Sequence, residues 1–163
     1  MNPPKFGGFT VSRQDQPTFR TEVGPELKFV LLIPDFEVST PAAREILPQT
    51  YPKRDAVRSV GNACRVTAAF LQKKYELLKG CFDDGIHQPY REPLIPFLSK
   101  AIAAGERAGA LGGFLSGSGS TICCMTLGEE DAVAAAMLDV SPPGSRIVIT
   151  TANNSGAEIL RPE

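Results

Sequence analysis

The sequence has little of what a membrane, zinc or nucleic-acid protein needs. Its longest apolar runs, 29–33 and 132–138, are far shorter than the roughly 20 residues that span a bilayer. Lys and Arg number 17 against 18 Asp and Glu, a formal net charge of −1, so no basic field favours nucleic acid or an anionic membrane. One histidine and four cysteines without a CxxC pair do not make the ligand cluster of a structural zinc site, so we expect no metal site.

The cysteines and the N-terminus both predict a cytoplasmic protein. Cys64, Cys81, Cys123 and Cys124 are expected to be reduced packing residues, because free cysteine behaves as a small hydrophobic side chain. The first nine residues hold one lysine and no apolar segment of the kind found in signal peptides. With 163 residues, 42% of them hydrophobic and 21% charged, the chain is expected to bury a sizeable core.

The apolar pattern predicts an α+β fold. Strand-length runs occur at 9–12, 28–33, 110–115, 121–127, 146–151 and 157–160. Helical spacings and start signals predict helices at 41–47, 55–74, 75–82 and 92–108, and a further helix after Gly128. Because strands and helices mix without strict alternation and a hairpin lies in the middle, we expect an antiparallel sheet with helices on one face.

Three of these helices carry more detailed predictions. Thr40 before Pro41 suits a helix start, with the threonine hydroxyl as N-cap and proline at the first helical position. In helix 92–108, Pro93 and Pro96 fall in the first turn, where a missing N–H costs least. Helix 55–74 carries apolar residues at spacings of three and four, the stripe of an amphipathic helix. The stripe consists of Val57, Val60, Cys64, Ala68 and Leu71.

The most unusual local feature is the stretch GGFLSGSGST at 112–121. Its glycines permit positive φ and let backbone N–H groups approach a ligand, so the loop can form an anion-binding nest. No GKS or GKT follows, so it is not a Walker loop. A flexible hairpin connection explains the same residues equally well.

The segment STPAAR at 39–44 is a second candidate. Thr40 and Arg44 lie four residues apart, on the same side of one helical turn. A hydroxyl beside a guanidinium can clamp a carboxylate, which arginine binds in bidentate fashion. The alternative is a plain N-cap with a solvated arginine.

The third candidate is HQPYR at 87–91, which holds the chain's one histidine, His87, close to Arg91. An imidazole here could act in catalysis or simply bond to the backbone. None of the three motifs identifies a function by itself.

Four segments, taken in order, resemble the homoserine kinase family of the GHMP small-molecule kinases. They are IPDFEVSTPAAREILP, a long helix containing DAV, DDGIHQPYREPLIP and AGALGGFLSGSGST. The resemblance runs from Asn2 to the ITTANNSGAEIL segment and rests on four separated motifs in the right order. The glycine-rich stretch resembles the third GHMP motif but has Ser120 where the family usually has proline, so a looser loop is expected.

The resemblance implies roles for particular residues. Thr40, Arg44, His87 and Arg91 would bind L-homoserine, the arginines on its carboxylate. Support for the phosphate region would come from the glycine-rich stretch, at Gly113, Ser116, Gly117, Ser118, Gly119 and Thr121. No catalytic residue and no metal ligand is expected in this chain. The family reaction transfers a phosphoryl group from ATP, with Mg²⁺, to the homoserine hydroxyl in threonine biosynthesis.

The resemblance also predicts a division of the chain. The family's main ATP-binding segment, Pro-x-x-x-Gly-Leu-Gly-Ser-Ser, does not occur here, so these residues correspond to the second half of a homoserine kinase. Residues 1–25 would be a strand remnant and connector of the N-terminal domain, and 26–163 the GHMP kinase C-terminal domain. Residues 1 to about 22, which include the remnant strand at 9–12, are expected to be disordered or to pair between copies.

The sequence is compatible with several interpretations. The partner could be a separate N-terminal half or a second copy of the chain. The chain could instead be a non-catalytic amino-acid-binding or interaction domain, or half of another GHMP kinase such as a mevalonate-pathway enzyme. The arginines of STPAAR and HQPYR argue against the last of these, because they suit an amino-acid carboxylate.

Overall fold

The main sheet has four antiparallel strands. A computed structural model describes residues 6–157 of the chain. The strands are β3 (Lys28–Ile33), β4 (Gly112–Leu115), β5 (Ile122–Thr126) and β6 (Arg146–Thr150), in the spatial order β4-β5-β3-β6. A separate two-stranded sheet pairs β1 (Phe9–Val11) with β2 (Phe19–Thr21). The helices are α1 (Thr40–Glu45), α2 (Lys53–Gln72), α3 (Gln88–Arg91), α4 (Leu98–Arg107) and α5 (Glu130–Asp139), with 3₁₀ turns at Tyr75–Leu78 and Glu92–Leu94.

The order of strands and helices is that of a split β-α-β unit. β3 lies between β5 and β6, while α4 precedes the β4–β5 hairpin and α5 precedes β6. This β-α-β-β-α-β arrangement is the ferredoxin-like motif. The predicted α+β class with an antiparallel sheet is therefore confirmed.

One face of the sheet packs against α4 and α5. Alternate residues of β3, Val30 and Leu32, point to this face and are fully buried. A Cβ at Gly113 of β4 would lie 2.6 Å from the Cys124 Sγ and 3.1 Å from Ile102 of α4. The helix thus packs so closely on the hairpin that position 113 has no room for a side chain. Gly113 therefore lies within strand β4, where the absence of a side chain allows α4 to pack closely.

The other face is covered at one end by α2, the 3₁₀ turn at Tyr75–Leu78 and the N-terminal strands. The Phe9 ring of β1 stacks on Phe70 of α2, with centroids 4.2 Å apart, and the Gly8 N–H donates to the Asn153 carbonyl at 2.8 Å. β1 therefore pairs within the chain, with β2, whereas pairing between copies remains a prediction. The division at residue 25 remains a prediction.

Proline shifts the start of one predicted helix. The helix expected at 92–108 begins only at Leu98, after Pro96, and a 3₁₀ turn occupies Glu92–Leu94. A proline disfavours the α-helical conformation of the residue before it, and Ile95, before Pro96, has a non-helical φ of −140° and ψ of 73°. The α-helix therefore begins only after Pro96. The strand predicted at 157–160 lies, apart from Ala157, outside the described residues, and Ala157 has no regular structure.

The apolar stripe of α2 faces solvent. Val57 and Val60 are each 63% exposed, Leu71 is 44% exposed, and Cys64 is also exposed. The opposite face of the helix, with Val66 and Phe70, turns toward the sheet. The stripe thus differs from the usual amphipathic helix, whose apolar side faces the core.

Three of the four cysteines are packing residues as predicted. Cys81, Cys123 and Cys124 are buried, whereas Cys64 is exposed on α2, which corrects the prediction for that residue. Burial, together with the neighbouring Cys124, raises the pKa of the Cys123 thiol to about 12. Burial, together with Glu106, raises the pKa of Cys124 to about 12 as well. Both thiols are therefore protonated and unreactive near neutral pH.

Candidate substrate-binding cleft

Residues from three separate motifs line one cleft of about 380 Å³. α1 contributes Thr40 and Arg44, and the turn into α3 contributes His87 and Arg91. The glycine-rich loop supplies the remaining wall. All four residues predicted to bind substrate are thus brought together, although they come from two motifs far apart in sequence. The complete lining is Thr40, Arg44, Asp84, His87, Gln88, Arg91, Leu115, Gly117 and Ser118.

The cap of α1 differs by one residue from the prediction. Ser39 is the N-cap, and its hydroxyl accepts a hydrogen bond from the Ala42 N–H at 3.5 Å. The Thr40 hydroxyl is therefore available for another partner, and it lies 3.1 Å from the Ser118 hydroxyl of the glycine-rich loop. This contact joins two walls of the cleft.

Arg44 is an exposed cation at the cleft. It lies one helical turn after Thr40, in the last turn of α1, where a basic residue complements the helix dipole. Within residues 6–157 no carboxylate lies at salt-bridge distance from Arg44. Its guanidinium can therefore bind an anion without first breaking an ion pair.

Arg91 is buried and ties two walls of the cleft together. Its side chain is only 9% exposed. Its Nε donates to the Ala43 carbonyl of α1 at 3.2 Å, and its Nη1 donates to the Gly117 carbonyl at 2.8 Å. Arginine has five N–H donors, so three remain for a ligand. A buried guanidinium without a carboxylate among the described residues favours an anionic ligand.

Asp84 is a cleft residue that sequence reasoning missed. Its carboxylate accepts hydrogen bonds from the backbone N–H groups of Ile86 (2.8 Å), His87 (3.2 Å) and Gln88 (3.3 Å). Its Oδ2 also lies 3.2 Å from the His87 Nδ1. An aspartate a few residues before a helix commonly bonds the following amides in this way, and this local signal could have identified it. Asp84 therefore fixes the turn that presents His87 and α3.

The glycine-rich loop is a hydrogen-bonded turn between β4 and β5. The Ser116 N–H donates to the Thr121 carbonyl at 2.9 Å, and the Gly119 N–H donates to the Ser116 carbonyl at 3.2 Å. Gly119 has a φ of +96°, and a Cβ there would lie 2.6 Å from the Ile95 Cδ1. Glycine is required at this position both by the backbone conformation and by the close contact.

The predicted phosphate-loop residues fall on two sides of this loop. Gly117 and Ser118 line the cleft, whereas Ser118, Gly119 and Thr121 line a second, polar cavity of about 700 Å³. Gly113 and Ser116 line neither of these two cavities.

The loop is not looser at Ser120, contrary to expectation. Ser120 is only 6% exposed, and its hydroxyl donates to the Phe36 carbonyl in the segment after β3. The hydrogen bond from the Ser120 side chain to Phe36 thus holds the loop in place, where a proline would have restricted the backbone directly.

An apolar cavity of about 630 Å³ adjoins the cleft. It lies between the sheet and α2, with aromatic rings from several elements in its wall, and it shares residues of the α3 turn with the cleft. The rings are Phe9, Phe29, Phe70, Phe82 and Phe114, and the shared residues are Asp84, His87, Gln88 and Leu115. The polar cleft is therefore continuous with an open apolar surface.

Comparison with known proteins gives one consistent result. Residues 67–142 match the family model described as GHMP kinases C terminal. The homoserine kinase of Aquifex aeolicus is 39% identical over 164 residues, covering 96% of this chain and 55% of the relative. A homoserine kinase of Thermus thermophilus is 37% identical over 149 residues, covering 90% of this chain and 51% of the relative. The crystal structure of homoserine kinase from Cytophaga hutchinsonii matches with a TM-score of 0.85 at 30% identity, covering 93% of this chain and 50% of that one.

The fold and the family match define a GHMP kinase C-terminal domain. The chain is similar to the C-terminal half of homoserine kinases, as the sequence motifs predicted. It spans about half the length of the curated relatives that it matches. Within the described residues, no helix is both long and apolar enough to cross a bilayer.

Proposed function

We propose that this chain supplies the amino-acid-binding half of a homoserine kinase, which transfers a phosphoryl group from ATP to the hydroxyl of L-homoserine. The observation that carries the proposal is the convergence of Thr40, Arg44, His87 and Arg91 in one cleft. These residues come from the motifs that resemble the family, and the relatives that the chain matches are named homoserine kinases.

The two arginines would hold the substrate carboxylate. Arg91 is already fixed by two carbonyl groups, so it loses little conformational freedom when a ligand binds. Arg44 is exposed and adds a second cation to the cleft, from α1. Charge-assisted hydrogen bonds of this kind orient the amino acid, so that its hydroxyl can face a phosphoryl donor. Catalysis in this reaction class is mainly such positioning together with neutralisation of phosphate charge.

ATP enters the proposal as the second substrate, with Mg²⁺. Among residues 6–157 no three or more His, Cys, Asp or Glu side chains form a metal-binding group. We therefore assign Mg²⁺ to the ATP phosphates, where it is commonly held with few protein ligands. The main contacts to ATP are assigned outside these 163 residues. Participation in threonine biosynthesis and a cytoplasmic location belong to the same proposal; the cysteines, none in a disulfide, support the latter.

Calorimetric titration of the chain with L-homoserine tests the proposal. Arg44→Ala should weaken binding by about 10- to 100-fold, the effect of losing a charge-assisted hydrogen bond of about 1.5–3 kcal/mol. Arg54→Ala is the matched control, because Arg54 is an arginine with an 88% exposed side chain outside the cleft. The compound 3-aminopropan-1-ol, which is homoserine without its carboxylate, should not bind.

Two results would contradict this assignment. Absence of any saturable binding of L-homoserine to the unmodified chain would favour an interaction domain without a small-molecule ligand. Equal loss of binding in Arg44→Ala and Arg54→Ala would show that overall positive charge, and not the cleft, attracts the amino acid.

A further inference from the structure

The glycine-rich loop begins at an open edge of the main sheet. β4 is an outer strand, with β5 on one side only. The Ser116 N–H donates across to Thr121, toward β5. Because successive N–H groups of a strand point in opposite directions, the Leu115 N–H points to the open edge. A backbone donor there needs a partner from outside the sheet.

Gln88 supplies that partner. Its Oε1 accepts a hydrogen bond from the Leu115 N–H at 2.7 Å. The other end of the same amide, Nε2, donates to the Phe82 carbonyl at 3.3 Å. The Gln88 backbone N–H is in turn held by Asp84 at 3.3 Å. Both ends of the side chain and its backbone are thus fixed, so the position of Leu115 is fixed too.

Gln88 and Arg91 act on the same loop from one turn of helix. They are three positions apart in α3, and residues at this spacing are neighbours on a helix surface. Gln88 holds the Leu115 N–H, and Arg91 holds the Gly117 carbonyl at 2.8 Å. The two contacts bracket Ser116, at the point where the strand gives way to the loop.

We propose that Gln88 is a positioning residue of the cleft. By occupying the Leu115 N–H, it sets where β4 ends, and so places Gly117 and Ser118 against Arg91 and Thr40. Gln88 acts through the loop, and its own amide is already satisfied by protein groups. The effect on ligand binding rests on the proposed function, because L-homoserine is the ligand used to measure it.

The test compares two substitutions of Gln88 that differ in whether an acceptor for the Leu115 N–H remains. Gln88→Met keeps the length of the side chain but removes the acceptor, whereas Gln88→Glu keeps an acceptor for the Leu115 N–H. Gln72→Met is the matched control, because Gln72 is exposed at the end of α2. Amide hydrogen exchange of residues 115–118 is measured without ligand, and L-homoserine affinity is measured by calorimetry below the unfolding temperature.

We expect Gln88→Met to speed exchange at Leu115, because the Leu115 N–H loses its acceptor. L-homoserine binding should weaken by about tenfold, because the ligand must then return a displaced loop to its position, at the cost of about one hydrogen bond. Gln88→Glu should restore slow exchange at Leu115, which a general loss of stability would not explain. Gln72→Met should change neither quantity. If Gln88→Met does not fold, Gln88→Asn, which is too short to reach Leu115, takes its place.

Two outcomes would overturn the proposal. The first is unchanged exchange at 115–118 in Gln88→Met, since Gln88 would then not hold the loop. The second is faster exchange with unchanged L-homoserine affinity, since the loop position would then not matter to the cleft. If the unmodified chain does not bind L-homoserine, the proposed function fails, and the exchange comparison between Gln88→Met and Gln88→Glu alone decides whether Gln88 positions the loop.

Discussion

Replacing Arg91 by methionine should destabilise the domain even without ligand. Methionine fills similar space but donates no hydrogen bond to Ala43 or Gly117, whose carbonyls lie 3.2 Å and 2.8 Å from the guanidinium nitrogens. Two hydrogen bonds from a charged donor contribute about 1.5–3 kcal/mol each. Removing a buried cation offsets part of this loss, because its desolvation cost disappears. We expect a net decrease of about 2 kcal/mol in the free energy of unfolding.

Urea unfolding followed by far-UV circular dichroism measures this change. Arg54→Met is the control, and as a change in a highly exposed side chain it should stay within about 0.5 kcal/mol of the unmodified chain. Arg91→Lys should recover only part of the loss, because an ammonium group cannot reproduce the planar fork that spans two carbonyls. An unchanged urea midpoint in Arg91→Met would refute the reasoning that Arg91 joins α1 to the loop.

Three further outcomes are expected. A polypeptide of these 163 residues should release no ADP in a coupled assay with L-homoserine and Mg-ATP, because the family's ATP loop is absent from them; turnover near about 10 per second would contradict this. Gly119→Ala should lower stability by about 1–3 kcal/mol in thermal unfolding, because its Cβ would clash with Ile95 at positive φ; an unchanged transition would show that the loop adapts freely. A thiol reagent at pH 8 should modify Cys64 quickly, and Cys123 and Cys124 only after unfolding, because their pKa values are raised to about 12; rapid modification of more than two thiols in the folded chain would contradict this.

The fold was predictable because its signals are local. The apolar run of β3 and the glycine-rich hairpin between β4 and β5 appear directly in the sequence, and the structure has both. Errors arose where two residues could do the same task. Ser39 and Thr40 both carry a hydroxyl before Pro41, and the structure uses Ser39 as the cap.

The orientation of α2 could not be predicted from its own residues. Its apolar stripe indicates an amphipathic helix but not which side meets the sheet, and Val57 and Val60 face solvent. That choice depends on tertiary contacts such as the stacking of Phe70 on Phe9. Intrinsic pattern is only a weak guide where tertiary packing decides.

Most residues of the candidate cleft were predicted, but Asp84, Gln88 and the hydrogen bonds that hold the cleft were not. The motifs identified Thr40, Arg44, His87 and Arg91, which all line it. The contact between Gln88 and Leu115 joins a side chain to a backbone group 27 residues away. No spacing rule detects a bond of that kind, because it depends on which N–H the sheet edge leaves open.

In the function that we propose, Arg44 and Arg91 together bind the carboxylate of L-homoserine. Side-chain ¹⁵N nuclear magnetic resonance of the arginines during titration with L-homoserine tests it most directly. We predict saturable shifts of the Arg44 and Arg91 guanidinium signals with one common dissociation constant, and none at Arg54. Saturation that leaves both cleft arginines unshifted, or that shifts Arg54 equally, would contradict the account.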